Sequence, residues 1–170
     1  MFLLCFIWSQ DSIGEGLIGD DLIQFLKDNY KTSYTLGYNN ARDTLYLRVD
    51  NYSGYVSGIY SQFSVDLPTG IDPSTYLYEN GINCEHVWPQ SLYMGSDPMK
   101  SDMHHLRPCK DNVNSYRGNK PFGEINDFET DNWFWQNQIL SNIPSNNIDE
   151  YSENSAMFFE PRENIKGDIA

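Results

Sequence analysis

The chain has 170 residues, which is enough for one domain with its own hydrophobic core. Its formal net charge of −13 and its pI near 4.4 argue against a protein that coats nucleic acid through bulk positive charge. The same acidity is usual for a soluble secreted enzyme, and the sequence contains no repeat with the period of a solenoid.

An apolar run, MFLLCFIW, occupies residues 1–8. It is too short to span a bilayer, so no membrane span is predicted. Residues 1–12 are interpreted as the remnant of a truncated signal peptide, which would make the protein secreted or periplasmic; the alternative is a strand or helix packed on the core. Residues 13–170 would form the mature domain. Because residues 166–170 read as the start of a helix, we expect this domain to be truncated at its C-terminus.

Hydrophobic periodicity predicts a mixture of helices and strands. The apolar residues of 20–29 fall on one helical face, and those of 45–49 alternate with polar residues as in a half-buried strand. The predicted elements, in chain order, are a helix over 20–29, a hairpin over 44–65, a strand over 82–88, a short strand over 103–106, a helix over 110–116, core aromatic residues at 133–135 and a polar loop over 141–155.

All three histidines lie between positions 86 and 105, and the first directly follows Glu85. Five of the eleven basic residues lie in the window 100–120, where they face two acidic residues. These five are Lys100, Arg107, Lys110, Arg117 and Lys120. A histidine cluster inside the basic window of an acidic chain predicts a site that handles anions with an acid–base group and a metal ion.

Cutting a phosphodiester needs a base that deprotonates water, a cation on the phosphate oxygens, and positive groups that hold the phosphate. His86 suits the first task because an unperturbed imidazole titrates at about pH 6.5. Glu85 suits the second, since hard divalent cations prefer carboxylate and carbonyl oxygens. The candidates for the third are Arg107, Arg117 and Lys120.

Two questions about this site stay open on the residues alone. A second metal ligand could be any of three asparagines on or just after the predicted helix, namely Asn112, Asn114 and Asn119. Glu85 and His86 are adjacent, so in a regular strand they would point to opposite faces. They can serve one site only if the strand ends or bulges there, which Trp88-Pro89 would allow.

The cysteines also leave two interpretations. If Cys5 departs with a signal segment, Cys84 and Cys109 remain as one candidate disulfide flanking the histidine cluster. The alternative is a pair of buried free thiols.

Three ordered motifs in this region resemble the signature of the endonuclease I family, which comprises secreted or periplasmic non-specific nucleases. They are EHVWPQS at 85–91, DMHHLRP at 102–108 and NSYRGN at 114–119. The resemblance extends over roughly residues 13–170 and includes the hairpin at 44–65 and the segments 159–161 and 166–170. It implies an α+β fold in which a central ββα-metal (His-Me) finger packs on additional antiparallel strands and helices.

The resemblance also implies a division of labour among the residues of the motifs. His86 would be the general base, and Glu85 and Asn114 would bind one divalent metal ion, Mg²⁺ or else Mn²⁺ or Ca²⁺. It thereby selects Asn114 among the asparagines. The products would carry 5′-phosphates, and the enzyme would act on DNA, RNA or both as a monomer. Phosphate contacts are expected from Arg107, Arg117 and Lys120, and supporting roles from Asp102, His104 and Asn119.

Two other classes of protein compete with a nuclease. A non-enzymatic module could bind structural zinc through thiolates and imidazoles, but the spacing of the candidate ligands matches no common zinc finger. Those ligands are Cys84, His86, His104, His105 and Cys109. A degenerate nuclease fold could bind nucleic acid without cutting it, although the intact Glu85-His86 pair argues against that.

Overall fold

A computed structural model of the chain describes residues 13–31 and 34–169, which belong to two compact units, residues 1–33 and 34–170. The segment 1–12, interpreted as a signal remnant, lies outside the described residues. The first unit contains helix α1, Gly19–Tyr30, which confirms the helix predicted over 20–29. Over residues 13–31 and 34–169, no helix combines the length and apolarity needed to cross a membrane.

The second unit combines short helices with three antiparallel sheets, which confirms the predicted α+β class. Its helices are α2 (Tyr38–Thr44), α3 (Pro73–Glu79), α4 (Asp111–Arg117) and α5 (Lys166–Ile169). Its strands are β1 (Asn51–Tyr52), β2 (Tyr55–Ser57), β3 (Ser64–Asp66), β4 (Ile82–His86), β5 (Leu106–Lys110), β6 (Asn132–Trp135), β7 (Gln138–Leu140), β8 (Ser152–Asn154) and β9 (Phe159–Glu160). The sheets have the strand orders β1-β2-β3, β4-β5 and β7-β6-β8-β9.

The hairpin predicted over 44–65 is only partly correct. Helix α2 continues into a π-helical turn over Leu45–Val49, so the strand predicted there is wrong. Leu45 and its neighbour Tyr46 are both buried, whereas Leu47 and Val49 are exposed. Adjacent buried residues fit the angular spacing of a helix and not the alternation of a strand. The turn residues after Val49 lead instead into the small sheet β1-β2-β3.

The second strand of the candidate site begins later than predicted, at Leu106, and continues through Pro108. The predicted strand over 103–106 stops before Pro108, since proline cannot donate a ladder hydrogen bond. In the structure the Pro108 carbonyl accepts from the Ile59 amide at 2.8 Å. The carbonyl and the nitrogen of Pro108 therefore face away from β4. Because of this, the missing N–H removes no hydrogen bond between β4 and β5, as expected for proline in an edge strand.

Two hydrophobic clusters share the core, and the β4-β5 ladder contributes to both. One cluster contains Ala41, Leu45, Tyr46, Val56, Leu67, Leu77, Ile82 and Leu106. The other contains Tyr60, Cys109, Val113, Phe134, Phe159 and Ile165. Trp133 and Phe134 are fully buried, as predicted, while Trp135 is half-buried. The segment 141–155, predicted as a loop, also supplies β8.

The candidate disulfide is absent, because Cys84 and Cys109 are both free. In the β4-β5 register, Cys84 lies opposite Pro108, and Cys109 lies opposite Asn83. Directly paired residues share a face of the ladder and successive residues alternate, so the two thiols point to opposite faces. Accordingly, Cys84 packs against the first core cluster and Cys109 belongs to the second.

We therefore expect a reducing agent to leave the thermal unfolding midpoint unchanged. A bridge closing a loop of about 25 residues would contribute about 3 kcal/mol, and breaking it would lower the midpoint by roughly 6–12 °C. Calorimetry with and without dithiothreitol makes the comparison. A fall of that size in the unfolding midpoint on adding dithiothreitol would show that Cys84 and Cys109 are bridged.

Candidate active site

The residues of the three motifs meet on a ββα unit made of β4, β5 and helix α4. Strand β4 ends at His86, and α4 is followed by Gly118, whose positive φ of 57° favours glycine. These elements border a cavity of about 430 Å³, lined by Cys84, Glu85, His86, Pro89, Gln90, Ser91, Asn114, Gly118 and Asn119. Glu85 and His86, which are paired with Arg107 and Leu106 in the ladder, both line the cavity.

Glu85 is a buried carboxylate with two partners on one oxygen. Its side chain is 4 % exposed. The Tyr60 hydroxyl donates to Oε1 at 2.8 Å, and the Arg117 Nε atom lies 3.2 Å from the same oxygen. Burial raises the pKa of Glu85 to about 7, although Arg117 and the Tyr60 hydrogen bond act in the opposite direction. The site thus contains a carboxylate whose charge is only partly compensated.

Arg117 is buried and engaged within the protein. Its Nη1 donates to the Gly118 carbonyl at 2.8 Å, its Nη2 donates to the Val87 carbonyl at 2.7 Å, and its side chain is 2 % exposed. The guanidinium also lies over the Phe122 ring, 4.7 Å from its centroid. The predicted contact of Arg117 with phosphate does not fit this position, because the group faces Glu85 and the protein interior.

The His86 ring is held from both of its nitrogens. Nε2 lies 3.0 Å from the Lys100 carbonyl oxygen, which can only accept, so we assign the proton to Nε2. Nδ1 is then the acceptor, and the Gln90 side-chain amide donates to it at 3.1 Å. Burial lowers the pKa of His86, and the Tyr38 ring stacks on the imidazole at 5.4 Å between centroids. This arrangement gives a neutral imidazole whose Nδ1 can accept a proton.

Asn114 on α4 has a fixed amide orientation. Its Nδ2 donates to the Asn83 side-chain oxygen at 2.7 Å and approaches the Cys84 carbonyl at 3.4 Å. Both partners are acceptors, so the Asn114 Oδ1 atom is left for another ligand. Asn119 follows the end of α4 and also lines the cavity, whereas Asn112 is not part of its lining.

The other predicted site residues do not line this cavity. The Arg107 Nη1 atom donates to the Leu106 carbonyl at 2.8 Å, and Arg107 borders a different cavity together with Arg162. Lys120 donates to the Tyr116 carbonyl at 3.0 Å and to the Asn154 side chain.

Asp102 and His104 form a local pair beside the histidine cluster. The Asp102 carboxylate bonds the amide and the Nδ1 atom of His104, whose side chain is 88 % exposed. The third histidine, His105, lies 5.5 Å from the His86 ring, and its Nε2 is 2.6 Å from the Met99 carbonyl.

Sequence reasoning missed two contributors to the site. Tyr60 lies within a predicted strand and is one of twelve tyrosines, so nothing in its local sequence marks it. Gln90 belongs to the first motif, which is a signal, but its residue type gave it no role. Both act through contacts with residues that the motifs did identify.

The donors at the cavity fit a hard divalent cation and do not fit zinc. Glu85 and Asn114 offer one carboxylate and one amide oxygen, and Mg²⁺ is bound by few protein oxygens while it keeps several waters. Within residues 13–31 and 34–169, the candidate zinc ligands of the cysteine and histidine cluster do not form a set of three within ligand distance. A group of three carboxylates, Glu124, Glu160 and Glu163, lies elsewhere, but the Lys166 ammonium already bonds all three.

Comparison with known proteins agrees with this site. The sequence model of the family described as Endonuclease I matches residues 18–170. An extracellular ribonuclease of Bacillus subtilis (strain 168) is 37 % identical over 90 residues, which cover 52 % of this chain and 25 % of that protein. The chain therefore spans only about a quarter of the length of this curated relative. No solved structure matches the chain.

We expect Arg117→Met to destabilise the fold by about 3 kcal/mol, because it leaves the Glu85 charge buried without its cationic partner. The double variant Arg117→Met/Glu85→Gln should recover part of this loss, since it removes the unpaired charge. Urea unfolding measures both. Arg107→Met is the matched control, and we expect it to change the free energy of unfolding by less than about 1 kcal/mol. An Arg117→Met variant as stable as wild type would contradict the buried ion pair and favour the phosphate contact that the sequence predicted.

Proposed function

Because the chain belongs to the endonuclease I family, we propose that it is a metal-dependent, non-specific endonuclease that hydrolyses the phosphodiester bonds of DNA, RNA or both. One observation carries the proposal: a neutral imidazole with an accepting Nδ1 and a buried carboxylate line the same cavity. They supply two of the functions that phosphodiester hydrolysis needs, a base for water and a ligand for a cation.

In the proposed mechanism, His86 Nδ1 takes a proton from the attacking water while Nε2–H stays bonded to the Lys100 carbonyl. That bond and the stacked Tyr38 ring hold the imidazole so that Nδ1 faces the proton it removes. Gln90 must give up its hydrogen bond to Nδ1 when the water arrives. The water oxygen bonds to phosphorus as the bond from phosphorus to O3′ breaks, and O3′ takes a proton from solvent water. The products carry a 5′-phosphate and a 3′-hydroxyl, and His86 then releases its proton to solvent.

Glu85 and Asn114 would hold one divalent cation, for which Mg²⁺ is the best candidate because both donors are oxygens. When bound, the cation supplies positive charge to the non-bridging and leaving oxygens of the phosphate. The protein contributes the burial of Glu85 and the fixed amide of Asn114, which present these oxygens before substrate binds.

The proposal extends to the substrate class and the localisation of the protein. The name of the Bacillus subtilis relative, an extracellular ribonuclease, supports RNA as a substrate and secretion as the destination. Contacts to phosphate and sugar carry no sequence information, so cleavage should be non-specific. The formal charge of −13 gives the protein little bulk attraction for a polyanion, and binding should therefore depend on the cation.

The test is degradation of supercoiled plasmid and of total RNA with Mg²⁺ or with EDTA. We expect cleavage with Mg²⁺, none with EDTA, and a loss of about 10²–10⁴-fold in His86→Ala, the range typical of a general base. His104→Ala, which changes an exposed histidine outside the cavity, is the matched control and should remain active. Cleavage that persists in His86→Ala, or an equal loss in both variants, would refute the assignment of the base.

A further inference from the structure

We infer that Tyr60 is a positioning residue that restricts Glu85 to binding a cation through a single oxygen, and that the preference of the site between Mg²⁺ and Ca²⁺ depends on it. The inference rests on the proposed function, because it takes Glu85 to be a cation ligand. Neither the motifs nor the family match assigns any role to Tyr60.

The two oxygens of the Glu85 carboxylate differ in their contacts. The Tyr60 hydroxyl and the Arg117 Nε atom both contact Oε1, at 2.8 and 3.2 Å. Oε2 makes no side-chain hydrogen bond with any residue in the described part of the chain. The Tyr60 hydroxyl donates a hydrogen bond to Oε1, whereas the Arg117 Nε atom is an ion-pair partner of that oxygen and makes no hydrogen bond among the described residues. Both contacts fall on Oε1, so Oε2 is the oxygen available to an ion.

Tyr60 is held in place by its surroundings. Its side chain is fully buried, and its ring packs against Phe159 at 4.9 Å and Phe122 at 6.2 Å between centroids. Its carbonyl accepts from the Ser152 hydroxyl at 2.7 Å. The phenol therefore cannot follow Glu85 if the carboxylate turns. Turning it to offer both oxygens would break a buried hydrogen bond to a charged group, which is among the stronger hydrogen bonds in proteins.

Mg²⁺ and Ca²⁺ differ in how many oxygens they take from a carboxylate. Mg²⁺ requires near-octahedral geometry with six ligands, and it usually takes one oxygen from each carboxylate and keeps several waters. Ca²⁺ accepts six to eight ligands and often binds a carboxylate through both oxygens. With Oε1 occupied by Tyr60 and Arg117, Ca²⁺ loses its second carboxylate oxygen, whereas Mg²⁺ loses nothing.

The test compares cation binding by wild type and Tyr60→Phe without nucleic acid. Mn²⁺ binding is followed by electron paramagnetic resonance of the free ion, and Mg²⁺ and Ca²⁺ are titrated as competitors. We expect Tyr60→Phe to weaken Mg²⁺ binding about tenfold, the lower end of the range for the loss of a group that orients a metal ligand. Ca²⁺ binding should weaken less, because the carboxylate is no longer held by the phenol and can turn to offer Oε1 as a second ligand.

Tyr151→Phe is the matched control. Tyr151 is also buried, and its hydroxyl bonds a side-chain oxygen, Gln138 Oε1, at 3.1 Å, but it does not line the cavity. We expect this variant to bind both cations as wild type does. Thermal unfolding of the two variants checks that each is folded, and both keep the aromatic ring that packs in the interior.

The outcomes separate this inference from the proposed function. An unchanged ratio of the Mg²⁺ and Ca²⁺ dissociation constants in Tyr60→Phe overturns the inference, even if the enzyme cuts nucleic acid. A wild type that binds neither cation also overturns it. A wild type that cuts neither DNA nor RNA, but whose cation preference shifts in Tyr60→Phe as expected, refutes the proposed nuclease and leaves the role of Tyr60 standing.

Discussion

The buried charge of Glu85 is the constraint on which the rest of the site depends. A carboxylate removed from water costs several kcal/mol unless charges and hydrogen bonds compensate it. Here the compensation comes from Arg117 at the end of α4 and from Tyr60, which follows β2. The Glu85 side chain therefore ties strand β4 to two other segments of the chain. A site that keeps such a carboxylate without a matching hydrophobic gain fits a functional role better than a purely stabilising one.

Two neighbouring residues of β4, Glu85 and His86, direct their side chains toward different parts of the core. Glu85 contacts Tyr60 of the second core cluster, whereas the ring of His86 stacks on Tyr38, which packs against the first. Both residues line one cavity at the end of β4. The segment after β4 also contributes, because the Lys100 carbonyl fixes which nitrogen of His86 carries the proton. The proposed base and the proposed cation ligand are thus held by separate sets of contacts.

The basic window has a different meaning in the structure than in the sequence. Arg117 forms an ion pair with Glu85, while Lys110 bonds the Asn137 side chain at 2.7 Å and Lys120 bonds the Asn154 side chain. These cations stabilise the surroundings of the ββα unit and do not form one surface for phosphate. A divalent cation bound at Glu85, as proposed, would then supply attraction for a phosphate group.

The sequence by itself identified the candidate residues of the site and part of its local frame. Glu85, His86 and Asn114 were found from residue type, order and motif, and helices α1 and α4 follow from periodicity and from the glycine after α4. These features depend on neighbours along the chain. Tertiary contacts decided the rest: Leu45–Val49 is helical because adjacent residues are buried together, and Cys84 and Cys109 are unbridged because the register of β4 and β5 turns them apart. The roles of Tyr60 and Arg117 likewise come from contacts with Glu85 across 25 or more positions of sequence, which local patterns do not encode.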